Sequence, residues 1–60
     1  MNAIFRFIED VGTDKIEQLI VSADEVDMRS EDGRHWFVAW KGEHVVATVN
    51  VEFVKYWYME

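Results

Sequence analysis

The sequence contains no cysteine and no proline, and only three of its 60 residues are glycine. Without cysteine, the chain can form no disulfide scaffold, thiolate zinc site or cysteine nucleophile. Basic residues are also scarce, since six Lys and Arg stand against twelve Asp and Glu and leave a net charge of -6. No apolar run approaches the roughly 18 residues of a membrane span, and the first ten residues do not resemble a signal peptide. We therefore expect a cytoplasmic protein with no membrane partner.

Apolar residues make up 50% of the chain and aromatic residues 15%. This much apolar and aromatic content predicts one ordered domain over residues 1–60. A chain of this length buries only about 60% of the surface that it exposes when unfolded, so it is marginally stable alone. Since disulfides are excluded and no metal cluster is evident, we expect the protein to gain stability as a homo-oligomer, most simply a dimer.

The negative charge is concentrated in the first half of the chain. Residues 1–32 hold nine acids and three bases, whereas residues 33–60 hold three of each. An acidic half repels phosphate backbones, so direct binding of nucleic acid is not expected, and a basic partner surface is favoured. The candidate acidic partner surface consists of Asp24, Glu25, Asp27, Glu31 and Asp32. These acids form a solvated face, a surface that steers a basic partner, or a mimic of DNA phosphates.

Turn-forming sequences at intervals of 8–12 residues separate short runs rich in Val, Ile, Phe and Trp, which indicates an all-β meander. Asp32-Gly33 predicts one hairpin, and Gly42-Glu43 predicts a second with a type II′ turn. In the second hairpin Lys41 faces His44, and unbroken pairing then places Trp40 opposite Val45. The same register continues as Val38 with Ala47 and Trp36 with Val49, which predicts Trp36, Val38 and Trp40 on the core face and Phe37 on the other.

Residues 14–20 fit either a short helix or, as we prefer, a strand over Gln18 to Val21. The final segment, Val54 to Met59, carries large apolar groups on both faces. Strands of this kind need cover on both faces. We therefore predict an all-β fold, either a small SH3-like barrel or an antiparallel β-meander, with one short helical turn allowed at the bend over residues 50–53.

A set of turn and core positions over residues 23–57 resembles a pattern in small uncharacterised phage and prophage β-meander proteins. The positions are Ala23-Asp24-x-Val26, Gly33, Phe37-Val38, Gly42-Glu43-x-Val45-Val46-Ala47 and Val54-x-Tyr56-Trp57. The resemblance implies a compact β-protein carried by a mobile element and directed at host machinery. It transfers no functional residue.

Residues that could carry catalysis or hold a metal are not grouped in the sequence. His35 and His44 lie at opposite ends of the predicted hairpin, too far apart to share a metal. Ser22 and Ser30 lack a nucleophile-elbow context, and neighbouring acids on a strand point to opposite faces. We expect no enzyme activity, no catalytic residue, no metal and no cofactor.

Seven of the nine aromatic residues lie in the last 25 residues, and this concentration is the distinctive feature of the chain. Core packing accounts for Trp36 and Trp40 in the predicted register. The aromatic residues left for an interface are Phe37, Trp57, Tyr56 and Tyr58. We predict a non-enzymatic protein that binds a host macromolecule, in the manner of a mobile-element inhibitor or accessory factor. One alternative is an oligomer that binds a nucleotide-like ligand, whose phosphate would be bound by Arg34, Lys41 or Arg29. The others are a DNA mimic and a structural oligomer.

Overall fold

A computed structural model of the chain describes residues 1–8 and 17–60. It contains six strands, β1 (Asn2–Phe7), β2 (Gln18–Ser22), β3 (Glu25–Glu31), β4 (Arg34–Lys41), β5 (His44–Asn50) and β6 (Val54–Met59), with a 3₁₀ turn at Val51–Phe53. The all-β prediction is confirmed, as is the preferred strand at Gln18 to Val21. The expected alternative, a helix that begins near Asp14, lies partly outside the described residues.

The strands form two three-stranded antiparallel sheets. Sheet A has the order β2-β1-β6, and sheet B has the order β3-β4-β5. The chain passes from sheet A to sheet B at Ala23 and Asp24, and returns through the 3₁₀ turn. Among residues 1–8 and 17–60 the ladders do not close into a barrel, so the antiparallel meander is the predicted architecture that fits.

Both predicted hairpins are present, and their turns use the expected residues. Asp32 and Gly33 join β3 to β4 with φ angles of 51° and 78°, the left-handed values that a tight turn needs. Gly42 has a φ of 60°, as the first central residue of a type II′ turn requires, and Lys41 faces His44 as predicted. The bend before β6 is stabilised by Asn50, whose Oδ1 accepts a hydrogen bond of 2.9 Å from the N–H of Glu52.

The predicted register of the β4–β5 hairpin is correct at the turn and wrong beyond it. Trp40 pairs with Val45, but the next pair is Ala39 with Ala47, so Val46 is an extra residue in β5. This β-bulge moves every later residue of β5 by one position relative to β4. Phe37 therefore lies opposite Val49, and these two residues belong to the buried core.

The inward and outward faces of β4 are therefore the reverse of those predicted. Phe37 and Ala39 point into the core between the sheets, whereas Trp36, Val38 and Trp40 alternate with them and lie on the outward face. The prediction that Trp36 and Trp40 belong to the core is wrong. Both are half-buried, and Val38 between them is buried.

The core lies between the two sheets and is built from small and aromatic side chains. Ala3, Phe5, Ala23, Phe37, Ala39 and Val49 form its buried cluster. The ring of Phe37 lies 5.8 Å from that of Phe5 and 5.8 Å from that of Trp57, between centroids. Phe5 and Trp57 are stacked at 6.1 Å. These three rings join sheet A to sheet B.

A second bulge shapes β6. Arg6 pairs with Tyr56 and Phe7 pairs with Val54, which leaves Lys55 as the extra residue. As a result Val54 packs against the core together with Met59, whereas Tyr56 and Tyr58 stack on the outer face.

Candidate interaction surfaces

The residues predicted to form an aromatic interface do not share one surface. Phe37 is 7% exposed and lies in the core against Phe5 and Trp57, so the prediction that it is left in water is wrong. The bulge at Val46 places Ala47 opposite Ala39 and Val49 opposite Phe37, so the apolar residues of β5 share the face of Phe37. Phe37 therefore contributes to holding the two sheets together rather than to an exposed face.

The other three predicted interface residues lie on the edge strand β6. Tyr56 and Tyr58 are 51% and 43% exposed, and their rings stack at 6.2 Å on the outer face of sheet A. Trp57 points to the inner face, where it contacts Phe5 and Phe37, and keeps 37% of its surface exposed. We call these three residues the β6 edge. Large apolar groups lie on both faces of this strand, as predicted.

The predicted acidic surface is divided by the fold. Glu25, Asp27 and Glu31 alternate along β3 and share the outward face of sheet B, and Asp32 is in the β3–β4 turn. Asp24 has a different role, since its Oδ2 accepts a hydrogen bond of 3.0 Å from the N–H of Gly42. Its own N–H donates to the carbonyl of Trp40 at 2.7 Å.

Two arginines interrupt the acidic residues on the outward face of sheet B. Arg29 lies between Asp27 and Glu31 on β3, and Arg34 pairs with Glu31 next to the turn. The acidic character of this face is therefore concentrated at the end near the bend, at Glu25 and Asp27.

The structure brings that acidic end against Trp40, whereas Trp36 lies opposite Arg29. Glu25 lies directly opposite Trp40, and Asp27 lies directly opposite Val38. Side chains in such pairs have Cβ atoms about 4.5–5.5 Å apart. We call this surface the tryptophan face, formed by Trp36, Val38, Trp40, Glu25 and Asp27. The sequence does not reveal this surface, because the apolar run Val45-Val46-Ala47 in β5 fits a regular register as well as a bulged one.

Trp40 has an unusual environment on this face. Its Nε1 is buried and has no hydrogen-bond partner among the described residues. A buried donor without a partner costs about 1–3 kcal/mol.

A shallow, open depression of about 300 Å³ lies at the other end of sheet B. Its lining consists of Arg34, His35, Trp36, Thr48, Val49 and Asn50. His35 is held by a 2.6 Å hydrogen bond between its Nδ1 and Oγ of Ser30. The depression thus combines a cation, an indole ring and polar side chains.

No group of three or more His, Asp or Glu that could hold a metal occurs within residues 1–8 and 17–60. His35 and His44 are exposed at opposite ends of the β4–β5 hairpin, and the structure does not bring them together. In the same ranges, no helix is long and apolar enough to cross a membrane.

Comparison with protein-family models, curated proteins and solved structures gave no match for this chain.

Proposed function

We propose that this chain is a non-enzymatic interaction protein that binds a macromolecular partner through the tryptophan face. The observation that carries the proposal is the pairing of Glu25 with Trp40 on an outward sheet face that also presents Trp36. Aromatic residues at the centre of a surface, with charged residues at its rim, are the usual anatomy of a protein interface.

The charge of this face indicates the chemistry of the partner. Glu25 and Asp27 attract a basic surface, and the face of an indole ring adds a cation–π attraction for Lys or Arg. A lysine or arginine placed between Glu25 and Trp40 would receive both contributions. We therefore expect a partner that presents basic side chains.

We also propose a biological setting for this protein. The resemblance to phage and prophage proteins supports a mobile-element factor that acts on a host macromolecule, and the absence of cysteine supports a cytoplasmic location. The DNA-mimic version receives less support, because Asp24 is engaged with Gly42 and Arg29 interrupts the remaining acids.

Binding of a lysine-rich peptide, followed by tryptophan fluorescence, tests the proposed partner chemistry. The informative variant is the double substitution Glu25→Gln, Asp27→Asn. Its matched control is Glu17→Gln, Glu60→Gln, which removes the same charge at exposed positions that flank strands of sheet A. We expect the first variant to weaken binding by about tenfold, because contacts to charged groups are worth about 1.5–3 kcal/mol.

The control should weaken binding by less than about threefold, since remote exposed charges act mainly through a screened field. Equal weakening by both double variants would mean that the peptide responds only to net charge, and it would overturn the assignment to this face.

The depression near Arg34 supports a second candidate, the binding of a nucleotide-like ligand. Trp36 provides a stacking surface, and Arg34, on the same face of β4, can pair with a phosphate. A nucleotide that fits should raise the melting temperature of the wild type but not of Arg34→Gln. The negative charge of the protein opposes an anionic ligand, so the interaction protein is the better-supported function.

A further inference from the structure

We propose that two copies of this chain pair along the β6 edge, so that sheet A continues from one subunit into the other. This pairing uses a different sheet from the tryptophan face and does not depend on the proposed function. β6 is hydrogen-bonded to β1 on one side, and among the described residues no strand pairs with its other side. Such an edge can accept another strand.

The backbone of β6 shows which groups are free for this pairing. Asn2 and Glu60 exchange both backbone hydrogen bonds, each 2.8 Å long. Because the N–H and C=O groups alternate in direction along an antiparallel strand, those of Tyr58 also point toward β1. Those of Trp57 and Met59 therefore point away from β1, toward the open edge.

In one two-fold register all of these outward-pointing groups pair with one another. Trp57 of each copy exchanges both backbone hydrogen bonds with Met59 of the partner subunit. Tyr58 then lies on the two-fold axis, opposite Tyr58 of the partner subunit, and Tyr56 lies opposite Glu60 of the partner subunit. This register leaves out Lys55, where the bulge interrupts the strand.

The distribution of charge favours a second copy at this edge rather than at the tryptophan face. Lys55 is the single charged residue of Val54–Met59, and residues 33–60 as a whole are neutral, with three acids and three bases. The register places no like charges directly opposite each other, since Glu60 of the partner subunit lies opposite Tyr56. The tryptophan face carries Glu25 and Asp27 at its acidic end, and these residues would repel the same residues of a second copy wherever the two acidic ends meet.

The pairing also covers the exposed aromatic surface. Tyr56 and Tyr58 are already stacked within one chain, and the tyrosines of the second copy extend this outer surface. The exposed part of Trp57 lies beside the new strand on the inner face. A marginally stable chain of this length gains apolar burial by this association.

Two lysine substitutions on the outer face of β6 test the register. Tyr58→Lys places like charges directly opposite each other across the axis, whereas Tyr56→Lys places its charge opposite Glu60 of the partner subunit. Both side chains are exposed, but Tyr58 lies opposite the buried Ile4, so the thermal unfolding of each variant is measured beside its association. Sedimentation over micromolar to millimolar concentrations should show a wild-type species of twice 7.1 kDa.

We expect Tyr58→Lys to raise the dimer dissociation constant by about tenfold or more, and Tyr56→Lys to change it by less than about threefold. Amide hydrogen exchange of the wild type provides the second measurement, which needs no variant. The amides of Trp57 and Met59 should become protected as the dimer forms. A 7.1 kDa species at every concentration, or a dimer in which these two amides exchange freely, would overturn the proposal.

Discussion

Asp24 and Gly42 are joined by a hydrogen bond in which Oδ2 of Asp24 accepts from the backbone N–H of Gly42 at 3.0 Å. The bond ties the bend between the two sheets to the turn between β4 and β5. A second bond, from Nζ of Lys41 to Oγ of Ser22 at 2.7 Å, joins the same two segments. This corner holds the acidic end of the tryptophan face in place, since Glu25 follows Asp24 directly.

Replacing Asp24 with alanine should destabilise the protein by about 1–2 kcal/mol, because it removes a charged acceptor from the Gly42 N–H. Asp24→Asn is the matched variant, since its side-chain carbonyl can still accept the bond. It should lose less than half as much. Urea denaturation measures both. An Asp24→Asn variant as unstable as Asp24→Ala would show that the Gly42 bond is not the cause.

Phe37 and Trp36 are neighbours on β4, yet they should respond differently to truncation. Phe37→Ala removes a buried ring from the contact with Phe5 and Trp57 and should cost about 3 kcal/mol or more. Trp36→Ala removes a half-buried side chain from the outward face and should cost clearly less. Thermal or urea unfolding of the two variants checks the order. The reverse order would mean that Trp36, rather than Phe37, faces the core.

The turns and strands of this protein could be predicted because their signals are local. Asp32-Gly33 and Gly42-Glu43 define two hairpins, and Asn50 precedes the 3₁₀ turn that its side chain stabilises. The faces of β4 could not be predicted in the same way. Val45, Val46 and Ala47 are all apolar, so the regular register and the bulged register both place apolar residues inside. The pattern that usually specifies a register is then ambiguous.

The tryptophan face could not be predicted because it depends on the register of β4 and β5. Unbroken pairing assigns Trp36 and Trp40 to the core and leaves Phe37 outside, whereas one extra residue, Val46, exchanges these roles. The sequence shows the acids of β3, but it does not show that Glu25 lies opposite Trp40. The size of the side chains offers a physical reason why this face of β4 points inward, since Ala39 and Ala3 are small enough to let the two sheets approach closely.

Deleting Val46 should cost little more than truncating it. Val46 is the extra residue of the bulge, so the deletion leaves Ala47 opposite Ala39 and Val49 opposite Phe37 and removes only an exposed side chain. Val46→Ala keeps the bulge and should cost less than about 1 kcal/mol. Urea denaturation compares the two variants. A deletion variant that is far less stable than Val46→Ala would show that the fold needs the bulge itself and not only the pairing of Phe37 with Val49.

Gly33 adopts a φ of 78°, a left-handed conformation that side chains other than Asn and Asp rarely tolerate. Space is not the obstacle, because a Cβ atom at this position would meet no atom within 4 Å. Gly33→Ala should therefore destabilise the protein by about 1 kcal/mol through backbone strain alone. Gly33→Asn should cost less, and urea unfolding distinguishes the two. Equal losses would point to a different origin, such as a changed unfolded state.

The salt dependence of peptide binding should separate the two contributions of the tryptophan face. Charge attraction by Glu25 and Asp27 weakens as salt is added, because the Debye length falls from about 10 Å at 0.1 M to about 3 Å at 1 M. Apolar contact with Trp40 is not weakened in this way. The double variant Glu25→Gln, Asp27→Asn should therefore bind the lysine-rich peptide more weakly than the wild type at low salt and almost equally at high salt. Trp40→Leu, which keeps an apolar side chain of smaller area, should lower the affinity at every salt concentration.

Fluorescence anisotropy of a labelled peptide measures both variants under the same conditions. If Trp40→Leu bound as tightly as the wild type at high salt, the aromatic part of the proposed interface would be ruled out and a purely electrostatic surface would remain.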